Sequence, residues 1–305
     1  MSRLIDPSVT LIKESDPFKK IERIGRTCYK SEDKITEDSA KKFYSGLVKR
    51  QHTAMVEHAT FVFQTDRNTY YRYTGLKYFN YTQDHGRYLI SANLRALNES
   101  GEPTFLKALY KIDPQLVYCM DELSLKELID STDDYFTIFP VDLTELKDVT
   151  VNEFMAHAYF TFHFICDRGV THEIVRHRPA SYAQESTRYC NYTKDKFGGE
   201  ITFIKPAHWD SLPDHIKFRY LTAFDHSEEM YNALIESGQA PQQARAVLPN
   251  ALKTELIMTT NAREYEHFFN LRSRGTTGAP HPDMKVVADK ALAMYEFERM
   301  AILGI

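Results

Sequence analysis

FMAHAYFTFHFICDRGVTHEIVRHRPASYAQESTRY, residues 154–189, alternates between two faces over its first thirteen positions. Met155, His157, Tyr159, Thr161, His163 and Ile165 fall on one side, and Ala156, Ala158, Phe160, Phe162 and Phe164 on the other. Side chains alternate across a strand, so 154–166 predicts one. DRGVTHEIVRHR then predicts a short helix after a turn at Gly169. It stops before Pro179, whose ring disfavours helical geometry at Arg178. The triplet Arg176, His177, Arg178 therefore stands where a helix runs into an irregular loop, a place where function concentrates.

Upstream, Pro17 behind Asp16 and the recurrence of Phe18, Ile21, Ile24 and Cys28 predict a capped amphipathic helix. A second helix is expected from Thr36, burying Ala40, Phe43, Leu47 and Val48, and then a strand over EHATFVFQT, 57–65. Residues 66–150 change character, being dense in Tyr, Asn, Thr and charge, with a helix-like ISANLRAL at 90–97 and an acidic stretch at 121–145. They read as an insertion between two core strands. Downstream come a short strand at 201–204, a helix over 213–237 closed by Gly238, and a helical PQQARAV at 241–247. Residues 254–260 are ambiguous between helix and strand; 262–273 and 284–303 read as helices around a Gly/Pro/Thr loop. Strands and helices do not alternate regularly. This predicts an α+β fold, an antiparallel sheet flanked by long helices, in one domain over 1–305 with the insertion at 66–150.

A net charge of −4 argues against a general nucleic-acid binder, so any anion site must be a local patch. The four cysteines show no CxxC pairing, which weighs against a zinc site or a disulfide framework and fits a reducing cytoplasm. MSRLIDPSVTLIKESD has no apolar run of signal-peptide length, and no stretch approaches the ~20 apolar residues of a membrane span. A soluble, cytoplasmic protein with no membrane partner is expected.

The chemistry concentrates between Arg176 and Arg188, where three guanidiniums stand with His177, Ser186 and the neighbouring Tyr189. Guanidinium forks match phosphate oxygens, and Ser181, Gln184, Ser186 and Thr187 can orient a ligand. Polar residues recur in HTAMVEH (His52, Glu57, His58), in QQARAVLP (Arg245) and in NAREYEHFFNLRSRG (Asn261, Arg263, His267, Arg272, Arg274). On its own, such a charge run is a solvated helix face. Joined to Arg176 and its neighbours, it reads as part of a site. His52 and His58 lack HExxH spacing, so no metal is expected. Ser186 lacks a GxSxG elbow, and Cys190 is the competing nucleophile. There is no GxGxxG or Walker loop, which leaves phosphate recognition to arginines.

Arg176-His177-Arg178, seven residues and Ser186, with EH at 57–58, ARAVLP at 244–249 and NAR…NLR at 261–272, resembles the flavin-dependent thymidylate synthases. The resemblance does not account for 66–150. It implies a homotetramer with FAD at subunit junctions, methylating dUMP to dTMP with methylenetetrahydrofolate and NADPH. Arg176, His177, Arg178, Gln184, Asn261, Ala262, Arg263 and His267 look like flavin contacts. Glu173, Ile174, Val175, Arg176, Gln184, Glu185, Ser186, Thr187, Arg188, Arg245 and Arg272 fall where the family holds dUMP. Arg272 matches the arginine that polarises uracil at N3 and is the expected catalytic residue. Such a guanidinium favours negative charge on the ring as bonding at C5 develops, which removes the need for an activated Cys or Ser. Ala54, Gln184 and His267 depart from the commoner Thr or Ser, acidic residue and Asn. A related hydroxymethylase acting on dUMP would use nearly the same residues, and a nucleic-acid-binding module is the remaining alternative.

Overall fold

In the computed structural model, which describes residues 3–131, 138–188, 191–192 and 201–305, the described residues form ten strands. These are β1 (Arg3–Ile5), β2 (Ser8–Leu11), β3 (Thr60–Thr65), β4 (Phe79–Asp84), β5 (Arg87–Asn93), β6 (Ile138–Pro140), β7 (Tyr159–Asp167), β8 (Ser181–Gln184), β9 (Thr202–Ile204) and β10 (Lys253–Asn261). β2, β7, β10 and β8 pair antiparallel in that order. β4, β5, β3 and β6 make a second antiparallel sheet, and β1 pairs parallel to β9. Antiparallel pairing was expected; two sheets and a parallel pair stand where one sheet was.

β7 and β10 pair along their whole length, from Asp167 opposite Lys253 to Tyr159 opposite Asn261. That long-range register settles 254–260 as strand. Phe160, Phe162 and Phe164 pack on Tyr265, Phe268 and Phe269 of the helix Ala262–Arg272 and on Val287, Ala291 and Tyr295 of the helix Pro282–Leu303. Each fully buried aromatic contributes about 1.5–3 kcal/mol, so this face anchors the sheet. On the other face Ala183 and Ile257 meet Ile24 and Cys28 of the helix Pro17–Tyr29. Asp16 caps that helix by accepting from the Phe18 and Lys19 amides at 2.8 and 3.0 Å.

The expected strand at 154–166 starts late. Residues Val151–His157 are a helix, because Thr150 and Glu153 close a capping box. His157 therefore leaves the strand face shared with His163; its Nδ1 meets Ser91 Oγ at 2.7 Å and its Nε2 meets Thr82 Oγ1 at 2.9 Å. The strand expected at 57–65 begins at Thr60, since Thr53–His58 winds as a 3-10 helix. The second helix starts at Ser39 and buries Tyr44, with Phe43 and Val48 half-buried.

Residues 66–150 bring strands of their own. They supply β4, β5 and β6, which build on β3, so the strands they separate, β3 and β7, lie in different sheets. The helices Leu94–Ser100 and Pro103–Ile112 close a core of Phe63, Phe79, Ile90, Leu97, Phe105 and Leu109. ISANLRAL is half strand and half helix: Asn93 ends β5 and caps the helix, accepting from the Ala96 amide at 2.8 Å. A third cluster stacks Phe203 on Phe224 of the long helix Asp214–Glu236, ring centroids 4.5 Å apart. Among the described residues no helix is long and apolar enough to cross a membrane.

Candidate active site

β10 ends at Asn261, and the chain turns directly into the helix Ala262–Arg272, which Asn261 caps by accepting from the Glu264 amide at 3.1 Å. At 1.5 Å per residue, this helix puts Arg272 roughly 16 Å from Asn261. The stretch NAR…NLR thus divides between two ends of one helix, with the exposed His267 between them.

At the far end, Arg272 Nε donates to His177 Nε2 at 3.0 Å and Nη1 donates to Glu173 Oε2 at 2.6 Å. Nε2 accepts only when it carries no proton, so His177 is neutral with its hydrogen on Nδ1. Burial, then the charges of Arg272 and His267, pull its pKa down to about 4. The imidazole packs edge-on against Phe268, centroids 5.0 Å apart, and 5.8 Å from the His267 ring. Tyr182 Oη donates to the carbonyls of Ile174 and His177, and Thr260 Oγ1 donates to the Pro179 carbonyl at 2.7 Å. These bonds pin the loop that sequence marked as irregular. A cleft of about 380 Å³ opens beside Glu173 and Arg272, walled by residues 277–281.

The second cluster follows β8. Gln184 Nε2 donates to Thr171 Oγ1 at 3.0 Å, and Thr187 Oγ1 accepts from Arg245 Nη1 at 2.8 Å. Ser186 N donates to the Cys28 carbonyl at 3.0 Å, and its hydroxyl accepts from the Arg188 amide at 3.3 Å. Glu185 is buried, its carboxylate 3.1 Å from Lys253 Nζ and 3.3 Å from the Tyr192 hydroxyl. Gln184, Glu185, Ser186, Thr187, Arg188 and Arg245 therefore gather in one place. Ile174 and Ala262 do not offer side chains to a ligand, since both are buried in the core, and Val175 packs against it.

The third cluster surrounds Asn261. Its Nδ2 donates to Asn80 Oδ1 at 3.4 Å, and Asn80 Nδ2 donates to Tyr159 Oη at 2.7 Å. Glu57 accepts from Ser181 Oγ at 3.0 Å and from Arg95 Nη1 at 2.9 Å. Both Asn80 and Arg95 come from 66–150, so that segment reaches residues singled out by motif. Sequence missed them, because nothing local to 80 or 95 announces partners 38 to 181 residues away. It also missed Lys30, Lys253 and Glu255; the i, i+2 placement of the last two on a strand puts them on one face and was a usable signal. Tyr189 and Cys190 lie outside the described residues.

Arg176, Arg178, Arg245 and Arg263 are exposed, and among the described residues none makes a salt bridge. Exposed guanidiniums that make no salt bridge suit phosphoryl oxygens.

The model of a family described as thymidylate synthase complementing protein matches residues 10–137 and 143–297. The chain belongs to that family. The match runs through most of 66–150, which the resemblance in sequence had left out. The chain is similar to the flavin-dependent thymidylate synthase of Geobacter sulfurreducens, 38% identical over 119 residues that make up 39% of this chain and 49% of that protein. It is similar to that of Pyrococcus furiosus, 38% over 125 residues (39% and 48%), and of Pyrococcus horikoshii, 35% over 147 residues (47% and 59%). The chain spans about half the length of the curated relatives it matches. Solved structures of the UMP/dUMP methylase PolB from Streptomyces cacaoi, bound with 5-Br dUMP and with 5-Br UMP, superpose with TM-scores of 0.41 and 0.44 at 17% and 15% identity. They cover 97% and 99% of this chain and 92% and 97% of theirs.

Proposed function

We propose that this protein methylates dUMP to dTMP, using FAD, methylenetetrahydrofolate as carbon donor and NADPH as reductant. The observation that carries the reading is Arg272, held between Glu173 and His177 at the edge of a cleft. Two of its five N–H donors are engaged by those partners, which fixes the plane of the guanidinium and leaves the others for a ligand. A fixed cation facing N3 and a carbonyl of uracil stabilises the charge that develops as C5 acts as nucleophile. Ser186, Thr187, Arg188 and Arg245 hold the nucleotide phosphate in this reading, with Glu173, Arg176, Gln184, Glu185 and the backbone of Ile174 and Val175 completing the substrate side.

Arg176, His177, Arg178, Gln184, Asn261, Arg263, His267 and the backbone of Ala262 would hold the flavin. When bound, the flavin supplies hydride transfer from NADPH to the one-carbon unit. The protein's own part is to orient the rings, keep His177 neutral and concentrate positive charge where phosphates lie. In this reading a second copy of the chain completes the site, in a homotetramer with sites at subunit junctions.

The test is the visible absorption spectrum of the purified protein with and without dUMP, followed by mass analysis of the product from dUMP, methylenetetrahydrofolate and NADPH. A flavin band perturbed by dUMP and a product with the mass of dTMP are expected. A colourless protein that FAD does not reconstitute would sink the reading, and a hydroxymethylated product would move it to the related hydroxymethylase.

A further inference from the structure

Glu185 presents a difficulty for any anion at the neighbouring loop. It is buried, and the residues after it carry the hydroxyls of Ser186 and Thr187, the latter bonded to Arg245. A lone carboxylate there would repel a phosphate strongly, because charges a few ångströms apart in a partly buried setting are weakly screened.

The structure answers with lysines from two separate elements. Lys253 Nζ lies 3.1 Å from Glu185 Oε2 and also bonds Glu255. Lys30 Nζ bonds Glu255 and lies 3.9 Å from Glu185 Oε2. His163 Nε2 stands 3.0 Å from the other oxygen of Glu255. Two cations thus meet two carboxylates. Burial alone would lower Lys253, but Glu185 and Glu255 outweigh it and hold the ammonium above its ordinary range. Burial alone would raise Glu255, but the bond from His163 and the two lysines hold it well below the usual carboxylate range.

The cluster is also a mechanical joint. Lys30 caps the helix Pro17–Tyr29 in a left-handed conformation, φ 48°. Lys253 and Glu255 begin β10, and the Glu185 amide donates to the Glu255 carbonyl at 2.8 Å. Ser186 N is bonded to the Cys28 carbonyl at the same helix end.

We infer that Lys30, Lys253 and Glu255 are positioning residues which cancel the charge of Glu185 and present residues 186–188 to the phosphate of the substrate. The inference rests on the reading of dUMP as that substrate. None of the three touches the ligand; they act through Glu185.

The experiment is calorimetric titration of dUMP into the flavin-loaded protein, comparing the unaltered chain with Lys253→Met, Glu255→Gln and the double variant. Lys253→Met leaves one buried negative charge in excess and should weaken dUMP roughly ten-fold. The double variant restores the balance and should bind within about three-fold of the unaltered chain, a coupling that contacting charges produce. Lys30→Gln, on a separate element, should weaken dUMP in the same direction and stands in where Lys253→Met does not fold. If the double variant binds as poorly as Lys253→Met, or if both lysine variants bind normally, the inference fails while the functional reading stands. If the unaltered chain binds no dUMP, both fail.

Discussion

Arg272 Nε donates to His177 Nε2 across 3.0 Å, so the arginine assigned to the pyrimidine and the histidine of the RHR triplet share a single hydrogen. The bond fixes two things at once: the plane of the guanidinium and the tautomer of the imidazole. It joins the far end of the helix Ala262–Arg272 to the loop after the helix Arg168–Ile174. Glu173, on the same short helix, completes the hold at 2.6 Å.

Replacing Arg272 by Ala is expected to lower kcat by about 100- to 1,000-fold, the usual loss when one preorganised donor is removed from a developing charge. The flavin band should persist, because the proposed flavin contacts do not depend on this side chain alone. Arg272→Lys should not rescue turnover: an ammonium is a point donor and cannot face Glu173, His177 and a ring edge in one plane. Steady-state rates with dUMP and NADPH decide the matter, and near-normal turnover in Arg272→Ala would remove its assigned role.

Acid should destabilise this protein early. Burial is the main cause that lowers His58 and His157 to about 3 and His177 to about 4, from an ordinary 6.5. As pH falls through 6.5 the unfolded chain takes up these protons while the folded chain refuses them. Stability therefore rises with pH across this window and is lost as pH drops toward 4, by up to about 1.4 kcal/mol per pH unit for each histidine. Urea melts at pH 7, 6 and 5 would show it, and a midpoint that stays constant over that range would contradict the buried, neutral state.

Phe268 forms the floor beneath His177 and is fully buried among Phe164, Tyr265 and Phe269. Phe268→Ala should cost about 3–5 kcal/mol, the range for emptying an aromatic position in a packed core. The neighbouring His267 is exposed, so His267→Ala should stay within about 0.5 kcal/mol. Denaturant midpoints for the pair test whether this helix divides into a buried and an open face as described.

Much of this was legible where the signal is local. The Asp16 cap, the spacing of Phe18, Ile21, Ile24 and Cys28, and the Phe160, Phe162, Phe164 alternation each name an element within a few residues. The Thr150…Glu153 box was equally local, and it outweighed the apparent alternation at 154–157. β2 and β10 were different: β2 is four residues long, and β10 reads as strand only once β7 lies beside it. The site divided in the same way. Arg176 to Arg188 is contiguous and visible, whereas the bonds from Asn80 to Asn261 and from Lys30 to Glu255 join residues far apart in the chain, and no spacing rule anticipates them.

The contact of Asn80 with Asn261 leads to the remaining prediction. Asn80 lies on β4 in the second sheet, while Asn261 caps the helix that carries Arg263, His267 and Arg272. Asn80 donates to Tyr159 Oη at 2.7 Å and accepts from Asn261 at 3.4 Å, so one amide bridges the two sheets at the start of that helix. Asn80→Ala takes one bond from each partner at a part-buried position, a cost of about 1 kcal/mol. Because Asn261 and Arg263 stand on the proposed flavin side, the variant should lose bound flavin on dialysis, and added FAD should restore it only in part. Arg272→Ala, at the opposite end of the same helix, should keep its flavin. A yellow Asn80→Ala protein with unaltered stability would show that this bridge does not support the cofactor end of the site.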